Sequence, residues 1–239
     1  MPRKHLIANQ TNKKQQTSAK QLQKLAKRIA SAVKKGGTNI QSNPHLKVAV
    51  DLALAKGLSM DSIKRNIHGS EKDTTKISEF CYEIFGPNGV GIIVFGLTDN
   101  PNRLLSSLNG YLAKLKGQLA KPNSVKINFQ EEGIIFVNKN NYLKDDLIEL
   151  LILDNINLID VDYDEECFEI SLHSNSYFHA KELLKKNNFS IVDSEIKLVP
   201  LLTVDLDRNQ QTLLSRFLNA CEEDDDIQFV VHNANPWEE

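Results

Sequence analysis

Residues 133–199 read GIIFVNKNNYLKDDLIELLILDNINLIDVDYDEECFEISLHSNSYFHAKELLKKNNFSIVDSEIKLV. Apolar strand-like runs and helical periods alternate along this stretch. A strand over 134–137 precedes a helix over 143–153, and strands follow near 159–162 and 168–172. A helix over 177–187 and a strand around 194–199 close the series. The order β-α-β-β-α-β is one complete ferredoxin-like unit.

Both flanks read as further pieces of the same kind. Before it, 80–85 and 90–97 form a hairpin around Gly86-Pro87-Asn88-Gly89. Asp99 or Asn100 caps a helix opened by Pro101, with Leu104, Leu105, Leu108, Leu112 and Leu115 turned inward, and 124–129 returns as a strand. After it come a strand over 201–206, a helix over 210–221 and a strand over 227–231. Each flank supplies a β-α-β half. The sequence therefore predicts a second ferredoxin-like domain made from both flanks, with the first inserted at its midpoint.

Ahead of these lies helical sequence. A first helix spans 18–35, with Thr17 or Ser18 as cap and Gly36-Gly37 as stop. Leu22, Leu25, Ile29 and Val33 share one arc of it, and Lys20, Lys24, Lys27, Arg28, Lys34 and Lys35 share the opposite one. A second helix starts at Asn43-Pro44, buries Leu46, Val50, Ala53 and Leu54, and stops at Gly57. A third runs from Ser59 through Ile63 and Ile67 to Gly69, decorated by Lys64, Arg65 and His68. The expected fold class is α+β: a basic helical domain over 1–75, a discontinuous ferredoxin-like domain over 76–129 plus 200–239, and an inserted ferredoxin-like domain over 130–199.

The chain of 239 residues carries a net charge of only −2, but the charge is split. Residues 1–76 hold 16 Lys/Arg and 4 Asp/Glu, a net of +12, and the remainder holds 13 against 27, a net of −14. No acid precedes Asp51. One end is built for polyanions and the other would repel them. The cationic arc of the first helix is of one sign and lacks acidic partners at i,i+4, so it repels itself and an anionic ligand would relieve the repulsion. Nucleic acid is the expected partner, held by Arg3, Lys4, Lys13 and Lys14 of the tail with Lys20, Lys24, Lys27, Arg28, Lys34 and Lys35 of the helix.

Other candidates are weaker. Asp99, Asn100 and Arg103 read as an acid-and-amide or anion site, or as the ordinary chemistry of a helix start. Gly86 to Gly91 has the glycines of a phosphate loop without the Lys-Ser/Thr that follows one, and reads as a turn. The run Glu222 to Asp226 reads as a solvated helix terminus, a metal site or a dock for a basic partner. His5 is a lone tail histidine, and His173, His179 and His232 lack metal-ligand spacing. No catalytic constellation stands out, so neither an enzyme nor a cofactor is expected. No run is long enough to span a bilayer, and the basic, polar start lacks the apolar stretch of a secretory signal. Cys81, Cys167 and Cys221 suit reduced thiols, and a cytoplasmic location is expected.

Several stretches together carry a resemblance. They are Ser42-Asn43-Pro44, Leu46, Ala49-Val50-Asp51 and Ala53, then Ala55, Lys56, Met60, Asp61, Ile63 and Ile67. Tyr82-Glu83, Phe85-Gly86-Pro87, Gly89-Val90, Ile92-Ile93-Val94, Leu97 to Asn100 and Asn102-Arg103 follow. Asp225-Asp226, Gln228 and His232-Asn233-Ala234 stand near the end. In order and spacing the set resembles the YebC family, which includes a mitochondrial translational activator of cytochrome oxidase. The resemblance implies one helical and two ferredoxin-like domains and a role in gene expression without catalysis. It implies a DNA-binding transcriptional regulator, or alternatively a ribosome-associated factor that contacts ribosomal RNA and helps translation of proline-rich stretches. It also adds Asn9 to the binding residues. The sequence departs from the family pattern at Ile7, where a Trp would stand, and at Lys20-Gln21-Leu22 in place of Lys-Arg-Gly.

Overall fold

The computed structural model describes residues 19–72, 77–140 and 142–237. Its elements, in chain order, begin with α1 (Ala19–Gly36), α2 (Pro44–Ala55), α3 (Met60–Lys72), β1 (Ser78–Phe85) and β2 (Gly91–Thr98). Next come α4 (Pro101–Leu115), β3 (Gln118–Leu119), β4 (Phe129–Asn138), α5 (Lys144–Leu153), β5 (Leu158–Tyr163) and β6 (Cys167–His173). The last are α6 (Tyr177–Lys186), β7 (Ile191–Pro200), α7 (Arg208–Glu223) and β8 (Ile227–His232). The expected caps Thr17 and Ser18 lie outside the described residues.

Asn43 shows why α1 and α2 meet as they do. Its Oδ1 accepts from the Leu46 amide at 3.1 Å, capping α2, and its Nδ2 donates to the Ala32 and Gly37 carbonyls at 2.8 Å each, closing the end of α1. A side chain on Gly36 would sit 2.6 Å from the Asn43 Cγ, so the contact requires a glycine there. Leu25, Ile29, Ala32 and Val33 of α1 pack on Leu46, Ala49, Val50 and Ala53 of α2, with Ile63 and Ile67 of α3 beneath. Leu22 and Leu54, expected on the apolar faces, are exposed. The third helix continues through Gly69 to Lys72.

The sheet that follows has the order β3-β1-β2-β8, all pairs antiparallel, with α4 and α7 over one face. Two expected strands are not formed. Residues 124–128 are turns, because the Glu83 carboxylate takes the backbone amides that a ladder would have used: Asn123 at 2.5 Å, Val125 at 2.6 Å and Lys126 at 2.8 Å. Residues 201–206 contribute a single bridge, Val204 with Ala234. The order is ferredoxin-like, but the chain reaches it by another route. The central strand β1 comes from the hairpin at the front, so the flanks divide as ββαβ and αβ rather than into equal halves.

The inserted segment has the sheet order β5-β6-β4-β7, also antiparallel, and matches the β-α-β-β-α-β reading element for element. Ile135, Val137, Phe168, Ile170 and Leu172 of the strands pack against Leu147 and Leu151 of α5 and Tyr177, Ala180 and Leu184 of α6. Gly133 lets β4 pass under Tyr177, whose Cδ2 would stand 2.8 Å from an added Cβ. The described residues thus form two units, one holding 19–72, 77–128 and 202–237, the other 129–140 and 142–201. Among the described residues, no helix is long and apolar enough to cross a membrane.

Candidate nucleic-acid interface and the acidic loop facing it

Lys20, Lys24, Lys27, Ser31 and Lys35 recur at intervals of three and four, so they form one stripe along α1. The stripe does not face open solvent. Its N-terminal half lies on the end of α7 and the loop into β8, and its C-terminal half on β1. α7 ends in Glu222 and Glu223 with no basic residue in its last turn, so acids sit at the negative end of the helix dipole. The cations that such an end needs come from α1.

The Lys20 ammonium donates to the Glu223 carbonyl at 3.1 Å and pairs with its carboxylate. Lys24 donates to the Glu222 carbonyl at 2.7 Å and the Cys221 carbonyl at 3.4 Å. Lys27 donates to the Asp225 carbonyl at 3.0 Å and to Asp226 Oδ1 at 2.8 Å. These carbonyls include ones that a helix C-terminus leaves without intrahelical donors. Further along, Ser31 donates to Glu79 Oε1 at 3.1 Å and Lys35 pairs with the same carboxylate. Arg28 lies 5.8 Å from the Phe229 ring centroid, and that ring stacks on Phe95 at 4.4 Å.

Asp226 is the centre of the contact. It is only 3% exposed. Lys27 holds one oxygen, and Arg103 holds the other with Nε at 3.0 Å and Nη2 at 2.7 Å. Arg103 Nη2 also donates to Asp99 at 2.8 Å. Burial pushes the Asp226 carboxyl up, but hydrogen bonds from Lys27, Arg103 and Thr98 outweigh it and hold the pKa below the ordinary value. Glu79 behaves alike: burial opposes ionisation, and Lys35 and Ser31 win. Lys20 holds Glu223 down and is itself raised by the same pair. Burial lowers Lys24 and Arg28, though a guanidinium stays charged throughout the working range. Burial is also the main reason the Cys221 thiol is pushed up to about 12, which makes it an inert neighbour.

This geometry sorts the sequence candidates. The expectation of a cationic arc without acidic partners does not hold for Lys20, Lys27 and Lys35, which pair with carboxylates, nor for Lys24 and Arg28, which lie against carbonyls and an aromatic ring. Their partners are up to about 200 residues away in sequence, beyond any i,i+4 search. Lys34 is exposed. Arg3, Lys4, Asn9, Lys13 and Lys14, with His5 and Ile7, lie outside the described residues. Asp99, Asn100 and Arg103 are brought together as a helix start and a clamp: Asn100 Oδ1 caps α4 at the Arg103 amide, 3.1 Å away. The acidic run meets α1 of the same chain. Sequence reasoning missed Glu79, Phe95, Phe229 and the central place of Asp226. The available signal was a helix ending in acids without a cation of its own.

The profile described as "TACO1/YebC protein N-terminal domain" matches residues 2–73, and that described as "TACO1/YebC second and third domain" matches 77–234. A relative from Mycoplasma pneumoniae named "Probable transcriptional regulatory protein" is 76% identical, over 98% of this chain and 100% of that one. A protein of the same description from Clostridium acetobutylicum is 33% identical over 96% and 94%. The crystal structure of a conserved hypothetical protein from Aquifex aeolicus superposes with a TM-score of 0.76 at 30% identity, covering 94% of each chain. With both profiles matched end to end and the same architecture in a solved relative, this chain belongs to the TACO1/YebC family.

Proposed function

We propose that the chain is a non-enzymatic regulator of gene expression that binds duplex DNA through its basic N-terminal helical domain. The observation that carries this is the charge split, +12 over residues 1–76 against −14 over the rest. Relatives named as probable transcriptional regulatory proteins support the same reading. The binding residues are Arg3, Lys4, Asn9, Lys13 and Lys14 with Lys20, Lys24, Lys27, Arg28, Lys34 and Lys35. Lys47, Lys64, Arg65, His45 and His68, exposed on α2 and α3, extend the cationic surface beyond α1. Binding rather than catalysis fits Asp99, Asn100 and Arg103, whose side chains are all engaged in capping and clamping.

Gel-shift titration of the full chain against duplex DNA and a structured RNA tests the reading. Binding weakens steeply with salt, because counterions released from phosphates dominate it. Neutralising Lys47, Lys64 and Arg65 together weakens binding and flattens the salt slope. Absence of binding to duplex DNA at low salt overturns the DNA reading. Tight binding to RNA alone moves the target to RNA, as a ribosomal role requires.

A further inference from the structure

The bundle core of Leu25, Ile29, Leu46, Val50 and Ile63 and the sheet core of Ile92, Val94, Leu104, Leu214 and Phe217 are separate apolar clusters. Among the described residues, α1 meets the end of α7 and the loop into β8 through the ionic stripe, and Arg28 adds a contact with Phe229 of β8. The stripe's outer pairs, Lys20 with Glu223 and Lys35 with Glu79, add little and are screened by water and salt, whereas Asp226 between Lys27 and Arg103 is buried. The stripe also has the composition of a nucleic-acid contact: a row of ammonium groups on carbonyl and carboxylate oxygens.

We infer that the end of α7 and the loop into β8, Glu222 to Asp226, form an internal polyanion that occupies the α1 stripe and must be displaced before nucleic-acid phosphates can take it. This rests on the reading that nucleic acid binds the helical domain, and it adds a regulation to that site. This segment presents five consecutive carboxylates, Glu222, Glu223, Asp224, Asp225 and Asp226. Lys20 and Lys27 meet side-chain oxygens of this run, and Lys24 meets its main chain, as they would meet successive phosphate oxygens. Closed and open forms are then two states of one chain, and the apparent affinity for nucleic acid is the intrinsic affinity scaled by the open fraction. Whatever weakens the loop raises affinity without touching a residue that contacts nucleic acid. By reciprocity, bound nucleic acid loosens the loop by the same factor.

Two measurements on the full chain test this. Glu223→Gln with Asp225→Asn should tighten duplex binding by about 5- to 150-fold, the usual range of such coupling. Asp145→Asn with Asp146→Asn, the same charge change on α5, should leave it nearly unchanged. In a Cys81→Ser background, Lys20→Cys and Glu223→Cys joined by a short bismaleimide should lose duplex binding relative to the same variant capped with a monofunctional maleimide. If the crosslinked and capped proteins bind alike, or if the α5 variant gains as much as the loop variant, the displacement is wrong while nucleic-acid binding stands. If neither the wild-type chain nor any loop variant binds nucleic acid, both readings fall.

Discussion

The two sides of α1 are held by different forces. One side buries Leu25, Ile29, Ala32 and Val33 against α2 and α3. The other sets Lys20, Lys24, Lys27, Ser31 and Lys35 against the α7 terminus and Glu79. Apolar burial carries no charge to be screened or protonated, whereas ion pairs fade as salt rises and as acid protonates their carboxylates. A single helix thus carries a permanent attachment and a conditional one. The bundle folds on the first, and what it docks to is decided on the second.

The largest effect should come from breaking the apolar side. Ile29 is fully buried, so Ile29→Ala removes burial and leaves a cavity, at a cost of about 2–5 kcal/mol. Amide exchange should show α1, α2 and α3 losing protection together. If only the contacts of α1 with the acidic loop loosen, the bundle does not depend on this side as described.

Acid should act next, and on the other side alone. Glu79 and Asp226 titrate below their ordinary values of 4.5 and 3.8. Carboxyls depressed by folding contribute stability that is present above their unfolded pKa and lost as pH falls through the folded one. Docking of α1 should therefore persist at neutral pH, begin to weaken as pH falls past the ordinary carboxylate values and be lost only below them, while exchange protection inside the bundle survives. Glu83, held down against burial by the amides of Lys126, Val125 and Asn123, should release the 121–128 turn in the same window. Equal loss in the bundle interior would show that the two sides are not independent.

Asp226→Ala isolates one residue of the ionic side. It leaves Lys27 and Arg103 without their shared carboxylate. The cost should be about 1–3 kcal/mol, below that of a fully buried pair, because the Arg103 side chain is 52% exposed and water can replace the lost acceptor. Asp226→Asn should recover part of it by keeping one acceptor oxygen. Full recovery would mean that shape, rather than charge, holds the loop.

The difference between the two sides also explains what could be read in the sequence. Leu25, Ile29 and Val33 announce their role by spacing alone, because a helix that buries one face must repeat apolar residues at three and four. The inserted unit was legible for a similar reason: its strands and helices alternate locally and pair with near neighbours. β1 was harder. Its hairpin with β2 is plain, but nothing within Ser78–Phe85 says that it takes the place a 201–206 strand would fill, nor that Glu83 will hold the 121–128 segment out of a ladder. The lysine stripe was legible as charge and illegible as contact. Its partners, Glu79 and residues 221–226, are set by the packing of a sheet that the helix itself does not encode.

The smallest effect grades the ionic side along its length. Lys20 pairs with Glu223 at the rim, where their side chains are 44% and 71% exposed. Solvent screens such a pair, and ordering two long side chains offsets most of its attraction. Lys24 is half-buried and donates to the Glu222 carbonyl at the end of α7, and it shares the Cys221 carbonyl with the Asp224 amide. Lys20→Gln should therefore leave the melting temperature unchanged within error at physiological salt and lower it detectably only at low ionic strength. Lys24→Gln should lower it at both, since loss of a carbonyl's donor is not screened by salt. A Lys20→Gln destabilisation equal to that of Asp226→Ala, and persisting in high salt, would break the gradient. The contact would then be a rigid seam, and the loop could not yield its place on α1 to phosphates.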